Sequence, residues 1–444
     1  MMNLKRKLIW AGALLAVLLV LPFAIPMRAY TKQAEALATK TLGVPVTIGS
    51  LRIVLLPSPR LNVSDVVAGK NKEFSVAHVN VVPALTTLFS ENKVISSVQV
   101  DKPIIKKAAL DIMASFSKQP KDKANTTTVS VRQINIEDAT LIWPGMKLPE
   151  INADITLTDD NKPESAKIES IDGKLKLNLM PEENQQRITL AAKDWTLPAG
   201  PPLLINALRM EMVLTENQLD ISKIDGALYG GKLSGNAILT WAKLYKLIGK
   251  TKLENLALKE PASLMSKSTR VSGQLFSSGQ FSATAKEPSK LADNLQADIQ
   301  FKVNDGVLYG FDLAKAPLML IGQGKGGETK FDVLSGLLGI SGETYRFRNL
   351  NIKSGLMSAS GAIKINSNKS LDGEVDVEVK NSLKIASIPL QVSGTLANPT
   401  VFPTKAAIAG AIAGTAVLGP AGTGLGLKAG KALDKLKGLF GSNK

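Results

Sequence analysis

Runs of alternating apolar and polar residues are the feature that most constrains the fold of this 444-residue chain. They recur beyond residue 30 between turn-forming residues, with examples at residues 134–136, 151–157, 174–179, 208–212 and 375–379. Because successive side chains of a strand point to opposite faces, each run predicts a strand with one apolar and one polar face. The predicted fold class is therefore mainly β, a mostly antiparallel sheet with short helices.

Turn and helix signals divide this body further. Asp-Gly pairs at residues 172–173, 225–226, 305–306 and 372–373 predict hairpin turns. Their spacing has no fixed period, which argues against a propeller or a short-period solenoid. Short helices are predicted at residues 31–42, 84–89, 106–116 and 241–248. Residues 119–128, rich in Lys, Asn and Thr, are the best linker candidate.

Two architectures satisfy this alternation. In a dry β-sandwich or barrel, which is the commoner outcome, the apolar faces meet one another. In a long, curled and elongated sheet, the apolar concave face instead stays open as a groove for acyl chains. A lipid chain and a leucine side chain satisfy an apolar face equally well, so the pattern alone leaves both open.

The formal net charge of +16 first indicates a nucleic-acid partner, but its distribution does not. Residues 1–40 carry six basic side chains and one acidic one, and the last 42 residues carry the same numbers. The remaining 362 residues therefore hold only +6. Basic ends beside apolar segments are typical of membrane contact, whereas the body shows no basic face with aromatic stacking partners. We expect no nucleic-acid partner.

The N-terminal segment has the length of a membrane span. Residues 8–27 carry no charge, and as a helix these 20 residues would reach about 30 Å, the thickness of the hydrocarbon layer. The basic residues 5–7 predict a cytoplasmic N-terminus, with the body on the far side in the periplasm. A cleaved signal peptide with a site near residues 36–38 is the alternative, disfavoured by the long apolar run. The predicted anchor residues are Leu8, Trp10, Leu14, Leu18, Leu21 and Phe23.

The C-terminal tail, residues 403–444, is rich in Gly and Ala and ends in basic residues. The small pair Gly410 and Gly414 allows close helix packing, and the later Gly and Pro residues favour helical packing or an interfacial loop over a second span. The end of the tail predicts a basic amphipathic helix on a membrane surface, and a solvated tail without function has nearly equal weight. The residues of this predicted helix are Lys428, Lys431, Leu433, Lys435, Leu436 and Phe440.

Chemical motifs are scarce. The chain has no Cys and one His, His78, which shares a predicted strand face with Asn80 and is most simply a surface residue. Glycines 322, 324 and 327 match a dinucleotide fingerprint, yet residues 328–333 alternate like a strand where that site requires a helix. Acidic residues 374, 376 and 378 are better explained by a solvated strand face than by a metal site. We expect no enzyme activity, no metal and no cofactor.

Several motifs are familiar in this order after a single anchor. Leu42-Gly43-x-Pro45-Val46-x-Ile48-Gly49 and Leu56-Pro57-Ser58-Pro59-Arg60-Leu61 resemble the start of the AsmA family of Gram-negative envelope proteins. Residues 228–235, 304–313 and 388–399 are similar to the family's C-terminal half. Together these motifs cover most of residues 1–402. The chain departs from the family after Lys102-Pro103, where a Lys- and Ala-bearing run replaces the usual strand.

The resemblance implies that residues 31–402 form an elongated, groove-like periplasmic body related to bridge-like lipid-transfer proteins. The implied function is outer-membrane assembly, most simply phospholipid transport, by a single-pass protein of the inner membrane. A sheet of about 20 to 25 strands at about 4.8 Å spacing spans only about 100 to 120 Å, so an outer-membrane or periplasmic protein partner is expected besides membrane phospholipids. The alternative is a scaffold that binds outer-membrane proteins through an exposed strand edge, without lipid transport.

On this hypothesis the groove is lined by apolar residues of two alternating runs. The predicted lining residues are Leu175, Leu177, Leu179, Val375, Val377 and Val379. A charge at Leu177 or Val377 is expected to block lipid passage, whereas a scaffold that still folds would tolerate it.

Overall fold

A computed structural model describes most of the body of the chain. The residues described are 27–56, 58–87, 90, 92–109, 129–182, 185–198, 201–265, 270–310, 312–313, 327–355, 357–379 and 387–418. They fall into two units: unit 1 comprises residues 1–193 with 198–200, and unit 2 comprises residues 194–197 with 201–444. Both are built almost entirely from β-strands.

Unit 1 holds one helix and eleven strands in the described residues. They are α1 (Met27–Leu42), β1 (Val46–Val54), β2 (Arg60–Ala68), β3 (Phe74–Pro83), β4 (Lys93–Asp101), β5 (Ile104–Lys106), β6 (Val129–Val131), β7 (Gln133–Ile142), β8 (Ile151–Leu157), β9 (Pro163–Ser170), β10 (Leu175–Glu182) and β11 (Gln185–Thr196). Strands β1 to β4 pair antiparallel in chain order, and β5 lies beside β3. Strand β7 runs parallel to β4 and β5, and β7 to β11 form an antiparallel meander.

Unit 2 is an antiparallel meander in which each strand pairs with the next one along the chain. Its elements are β12 (Leu204–Leu214), β13 (Gln218–Leu228), β14 (Gly231–Trp241), β15 (Tyr245–Ala257), α2 (Lys259–Met265), β16 (Arg270–Ala285), β17 (Gln296–Tyr309), β18 (Glu328–Ser341), β19 (Thr344–Lys353), β20 (Met357–Ile365), β21 (Leu371–Val379), β22 (Ile388–Gly394), β23 (Pro399–Pro403) and α3 (Lys405–Leu418). Several pairs contain β-bulges, which increase local twist.

The alternating runs predict the strands well. Residues 134–136, 151–157, 208–212 and 375–379 lie inside strands β7, β8, β12 and β21, and residues 175–179 of the run at 174–179 lie inside β10. The mainly β, antiparallel fold class is confirmed. The helix predicted at residues 31–42 is also confirmed, because it lies inside α1.

Three of the four predicted Asp-Gly turns are wrong. Only the pair at residues 172–173 joins two strands, β9 and β10, while the others lie inside β13, β17 and β21. Two of these glycines, Gly306 and Gly373, are needed for close approach between strands instead of for a turn. A Cβ on Gly306 would overlap the Phe331 ring and the Ser272 carbonyl oxygen, for example. Asp305 precedes it with a φ of 49°, at an irregular point of the strand.

Two predicted helices are also corrected. Residues 241–248 form the β14–β15 hairpin, in which Trp241 pairs with Tyr245, because apolar side chains at positions 245 and 247 continue the two-residue period. Within residues 84–89, the described part forms a 3-10 turn at Leu85–Thr87.

Several predicted segments lie outside the described residues. These are the membrane anchor, the linker at 119–128, most of the helix at 106–116, glycines 322 and 324, and the basic tail from Lys428 to Phe440. Within the described ranges, no helix combines the length and the apolar character that a membrane span requires.

Candidate functional site

The most extended surface feature of unit 1 is an apolar face formed by two adjacent rows of cross-strand partners. Each row crosses nine strands, β1 to β4 and β7 to β11, and contains only apolar residues. The first row is Leu51, Val63, Val79, Val100, Ile136, Ala153, Ile168, Leu177 and Leu190, and the second is Ile53, Leu61, Val81, Val98, Ile134, Ile155, Ala166, Leu179 and Ile188. We call these 18 residues the unit 1 apolar face.

This face is only partly buried. Leu51 and Ala153 are the two members with almost no exposed surface, and the other sixteen keep part of their surface accessible. Among the described residues, no second sheet packs over the rows, and α1 contacts the first strand, β1. A dry sandwich core would bury these side chains almost completely. Unit 1 therefore presents a contiguous, partly open apolar surface of the kind that binds an apolar ligand or partner.

The three predicted lining residues of unit 1 lie together on strand β10. Leu177 and Leu179 belong to the unit 1 apolar face, where they pair with Leu190 and Ile188 of β11. Leu175 is the next residue on the same side of the strand and pairs with Ala192. All three are partly exposed.

Unit 2 has a comparable apolar row, which crosses ten consecutive strands from β12 to β21. Its members are Met212, Ile221, Ala237, Gly249, Phe281, Ala297, Ile340, Tyr345, Ile365 and Leu371. The large side chains in its middle, from Phe281 to Ile365, are partly exposed. Two of its neighbours, Phe301 and Phe347, pack edge to face with ring centroids 6.0 Å apart.

The C-terminal end of unit 2 is closed. Val377 is 0% exposed and Val375 is 5% exposed, in a core shared with Leu390 of β22. Ala407 and Ala411 of α3 are buried in the same core, so this helix covers the sheet there. An apolar cavity of about 60 Å³ remains, which is too small for an acyl chain.

The predicted lining residues of strand β21 are therefore placed differently from those of β10. Val375 and Val377 lie inside this core, and Val379 packs against it with part of its surface accessible. The same alternating pattern thus yields an open face in unit 1 and a packed core at this end of unit 2. At this end of unit 2, Phe331 of β18, Leu390 of β22 and Ala407 of α3 belong to the same buried core as Val377, and strand periodicity does not reveal this packing.

The opposite face of unit 1 is polar with the same regularity. One row crosses the same nine strands and contains only polar residues: Arg52, Asn62, Asn80, Gln99, Asn135, Asp154, Lys167, Asn178 and Thr189. His78 lies two residues before Asn80 on the same face of β3, where it is exposed and its Nδ1 is 3.2 Å from the Ser64 hydroxyl. Its predicted surface position is confirmed.

Hydrogen bonds and ion pairs on the polar surfaces lower the pKa values of several exposed carboxyl groups. Hydrogen bonds from Lys162 and Thr158 lower the pKa of Asp160 to about 2. Cross-strand Lys176, whose Nζ lies 2.7 Å from the Glu169 carboxylate, lowers the pKa of Glu169. Arg187 lowers that of Glu182 in the same way. These are exposed pairs, which contribute little to stability.

The glycine motif that ends at Gly327 and the acidic residues 374–378 lie beside or within strands. Gly327 is followed directly by strand β18, as the alternation at residues 328–333 predicts, and not by the helix that a dinucleotide site requires. Glu374 and Glu378 are exposed on β21, on the side opposite to the valines. In the described part of the chain, no group of three or more acidic or His side chains is arranged to hold a metal ion.

Most members of the unit 1 apolar face escape prediction from the sequence. Val63, Val79, Ile136 and Leu190, for example, lie in runs with the same alternation, but only the pairing register shows that they share a row with Leu177. The parallel pairing of β4 with β7 joins residues separated by a long connection, and no local signal encodes it. A systematic search for alternating runs would have found the strands but not the rows.

Comparisons with protein-family models, with curated proteins and with solved structures give no match for this chain.

Proposed function

We propose that this protein transports phospholipids between the membranes of a Gram-negative envelope. In this proposal the N-terminal segment anchors it in the inner membrane, the described body lies in the periplasm, and acyl chains move along its apolar faces. The observation that carries the proposal is the unit 1 apolar face, with two unbroken nine-strand rows that remain partly accessible. The resemblance to the AsmA family supports the same function.

The energetics suit a passive carrier. Each methylene group removed from water is stabilised by about 0.8 kcal/mol, so sheltering about twelve of them offsets on the order of 10 kcal/mol of the cost of leaving a bilayer. Consecutive positions along the rows are Val, Ile, Leu or Ala, which offer similar contacts at each strand. An acyl chain therefore meets no deep minimum as it moves from strand to strand, and no covalent chemistry is required.

The first strand, β1, and the last described strand, β23, favour lipid transport over a scaffold that binds its clients by strand addition. Helix α1 covers the start of the free edge of β1: the Val46 and Ile48 amides donate to Thr39 Oγ1 and Glu35 Oε1, at 3.0 and 2.8 Å. Strand β23 has five residues and begins and ends with proline, as protected edge strands do. A scaffold that recruits clients by edge pairing would present longer, uncovered edges.

Site-specific photocrosslinking in cells tests the proposal. A benzoylphenylalanine at Leu177 should form phospholipid adducts, detected by mass spectrometry of the purified full chain. The matched control is Asn178, the next residue of the same strand, which points to the polar face and should give at least several-fold fewer adducts. Equal labelling at both positions, or protein adducts without lipid at Leu177, would reject lipid transport in favour of the scaffold.

A further inference from the structure

The polar face of unit 1 contains a shallow depression of about 870 Å³ that the proposed lipid transport does not use. It spans strands β2, β3, β4, β7 and β8. Five consecutive members of the polar row line it: Asn62, Asn80, Gln99, Asn135 and Asp154. Four of the five are carboxamides, one on each of four neighbouring strands.

These carboxamides are partly buried yet retain hydrogen-bonding capacity. Asn135 Nδ2 donates to Asp154 at 2.6 Å, and Gln99 Nε2 donates to Glu137 at 3.3 Å. The Asn80 side chain has no hydrogen-bond partner among the described residues. A carboxamide offers two donors and one acceptor oxygen, so the depression presents free groups of both kinds.

The charge of the depression selects against anions. Arg60 is opposed by Glu137, Asp138 and Asp154, which gives a formal charge of −2 in the lining. A phosphate, a sulfated polymer or a nucleic acid would be repelled, and the lining contains no aromatic ring on which a base could stack. Val82, which shares its side of β3 with Asn80, adds a small apolar contact among the polar groups.

The spacing of the row indicates the form of the ligand. Neighbouring strands place one amide about every 4.8 Å along a line. This is close to the advance of one pyranose in an extended, β-linked chain, whose hydroxyl and acetamido groups both donate and accept hydrogen bonds. The C–H face of a sugar ring would fit against Val82.

We propose that this depression binds an extended, uncharged glycan chain. The amides and carboxylates of the polar row hydrogen-bond to successive sugars, while the apolar face on the other side of the sheet stays free. The proposal is independent of lipid transport, because it rests on the opposite side chains of the same strands.

Binding of fluorescein-labelled chitohexaose to the full chain tests this inference. The protein is kept in lauryldimethylamine oxide, a detergent without sugar, and binding is followed by fluorescence anisotropy. We expect saturable binding that unlabelled chitohexaose displaces. Asn80→Ala combined with Gln99→Ala should weaken it about tenfold, because two hydrogen-bonding groups are lost. Asn178→Ala, in the same row but outside the depression, should change it less than about twofold.

Three results would overturn the inference. The first is the absence of saturable binding to chitohexaose by the wild-type chain. The second is equal affinity of the double variant and the Asn178→Ala control. The third is equally effective displacement by pentosan polysulfate, which would indicate electrostatic capture by a chain of net charge +16. Circular dichroism of each variant checks that the β fold is retained, and single Asn80→Ala and Gln99→Ala variants replace the double variant if it fails to fold.

Discussion

At the scale of single residues, glycines on the apolar side of unit 2 make room for aromatic rings of the neighbouring strand. Gly249 pairs with Phe281 and Gly306 pairs with Phe331, and in both pairs a Cβ on the glycine would overlap the ring. Phe331 is 3% exposed, so its position leaves no space for relaxation. The glycine and the ring thus form one packing unit, in which each residue depends on the other.

Gly306→Ala should therefore destabilise the protein by about 1 to 3 kcal/mol, because the added methyl group overpacks a closed site. Urea denaturation followed by circular dichroism measures the change. Gly355→Ala is the matched control: nothing lies within 4 Å of its Cβ position, so we expect a change below about 0.5 kcal/mol. Similar stabilities of the two variants would show that Phe331 can move aside.

At the scale of elements, α1 protects the first strand. Glu35 and Thr39 lie one turn apart on the helix. Thr39 accepts a hydrogen bond from the Val46 amide and Glu35 accepts one from the Ile48 amide, two positions further along the strand. The 3.6-residue period of the helix and the two-residue period of the strand coincide at this point. The result is a strand edge whose first donors are satisfied by side chains and are not open to another chain.

Combining Glu35→Ala with Thr39→Ala should expose this edge without weakening the helix, because alanine has the highest helix propensity. Loss of two hydrogen bonds, about 0.5 to 1.5 kcal/mol each, should speed amide exchange at Val46 and Ile48 by about tenfold. Hydrogen–deuterium exchange detects this, and Glu35→Gln, which keeps an acceptor oxygen, should exchange more slowly than the double variant. Unchanged exchange would mean that other contacts hold α1 on the edge.

At the scale of the whole molecule, both units have an apolar and a polar sheet face. The apolar faces of the two units differ in how much of their surface is buried. Unit 1 leaves Leu177 partly exposed among apolar neighbours. At its C-terminal end, unit 2 buries Val377 in a core formed by several strands and α3. The same kind of substitution should consequently have different effects in the two places.

Leu177→Asp should abolish phospholipid transport while the protein still folds, because the carboxylate can reach water yet interrupts the apolar row. Val377→Asp should prevent unit 2 from folding, since an unpaired buried charge costs at least several kcal/mol. Transfer of labelled phospholipid between membranes and thermal unfolding are the two measurements. Asn178→Asp, on the polar face, is the control. Full transport by a folded Leu177→Asp variant would contradict the proposed path.

The sequence predicts strands better than surfaces. Alternation at residues 151–157 coincides with β8, since each residue carries its own signal for one face or the other. The Asp-Gly pairs at 305–306 and 372–373 mislead, because a glycine required by a close cross-strand contact looks like a glycine required by a turn. Burial is the least predictable property, because Leu177 and Val377 lie in similar alternating runs and differ in the distant residues that pack around them.

The connectivity of unit 2 also has a consequence for biosynthesis. Every strand from β13 to β23 pairs with the strand synthesised just before it, so the sheet can grow in the order in which the chain appears. Local connections of this kind favour fast folding. Until synthesis ends, however, the most recent strand is an unpaired edge that another chain could join. Among the described strands, the proline-bounded β23 is synthesised last, so this part of the sheet loses its open edge only when β23 is in place.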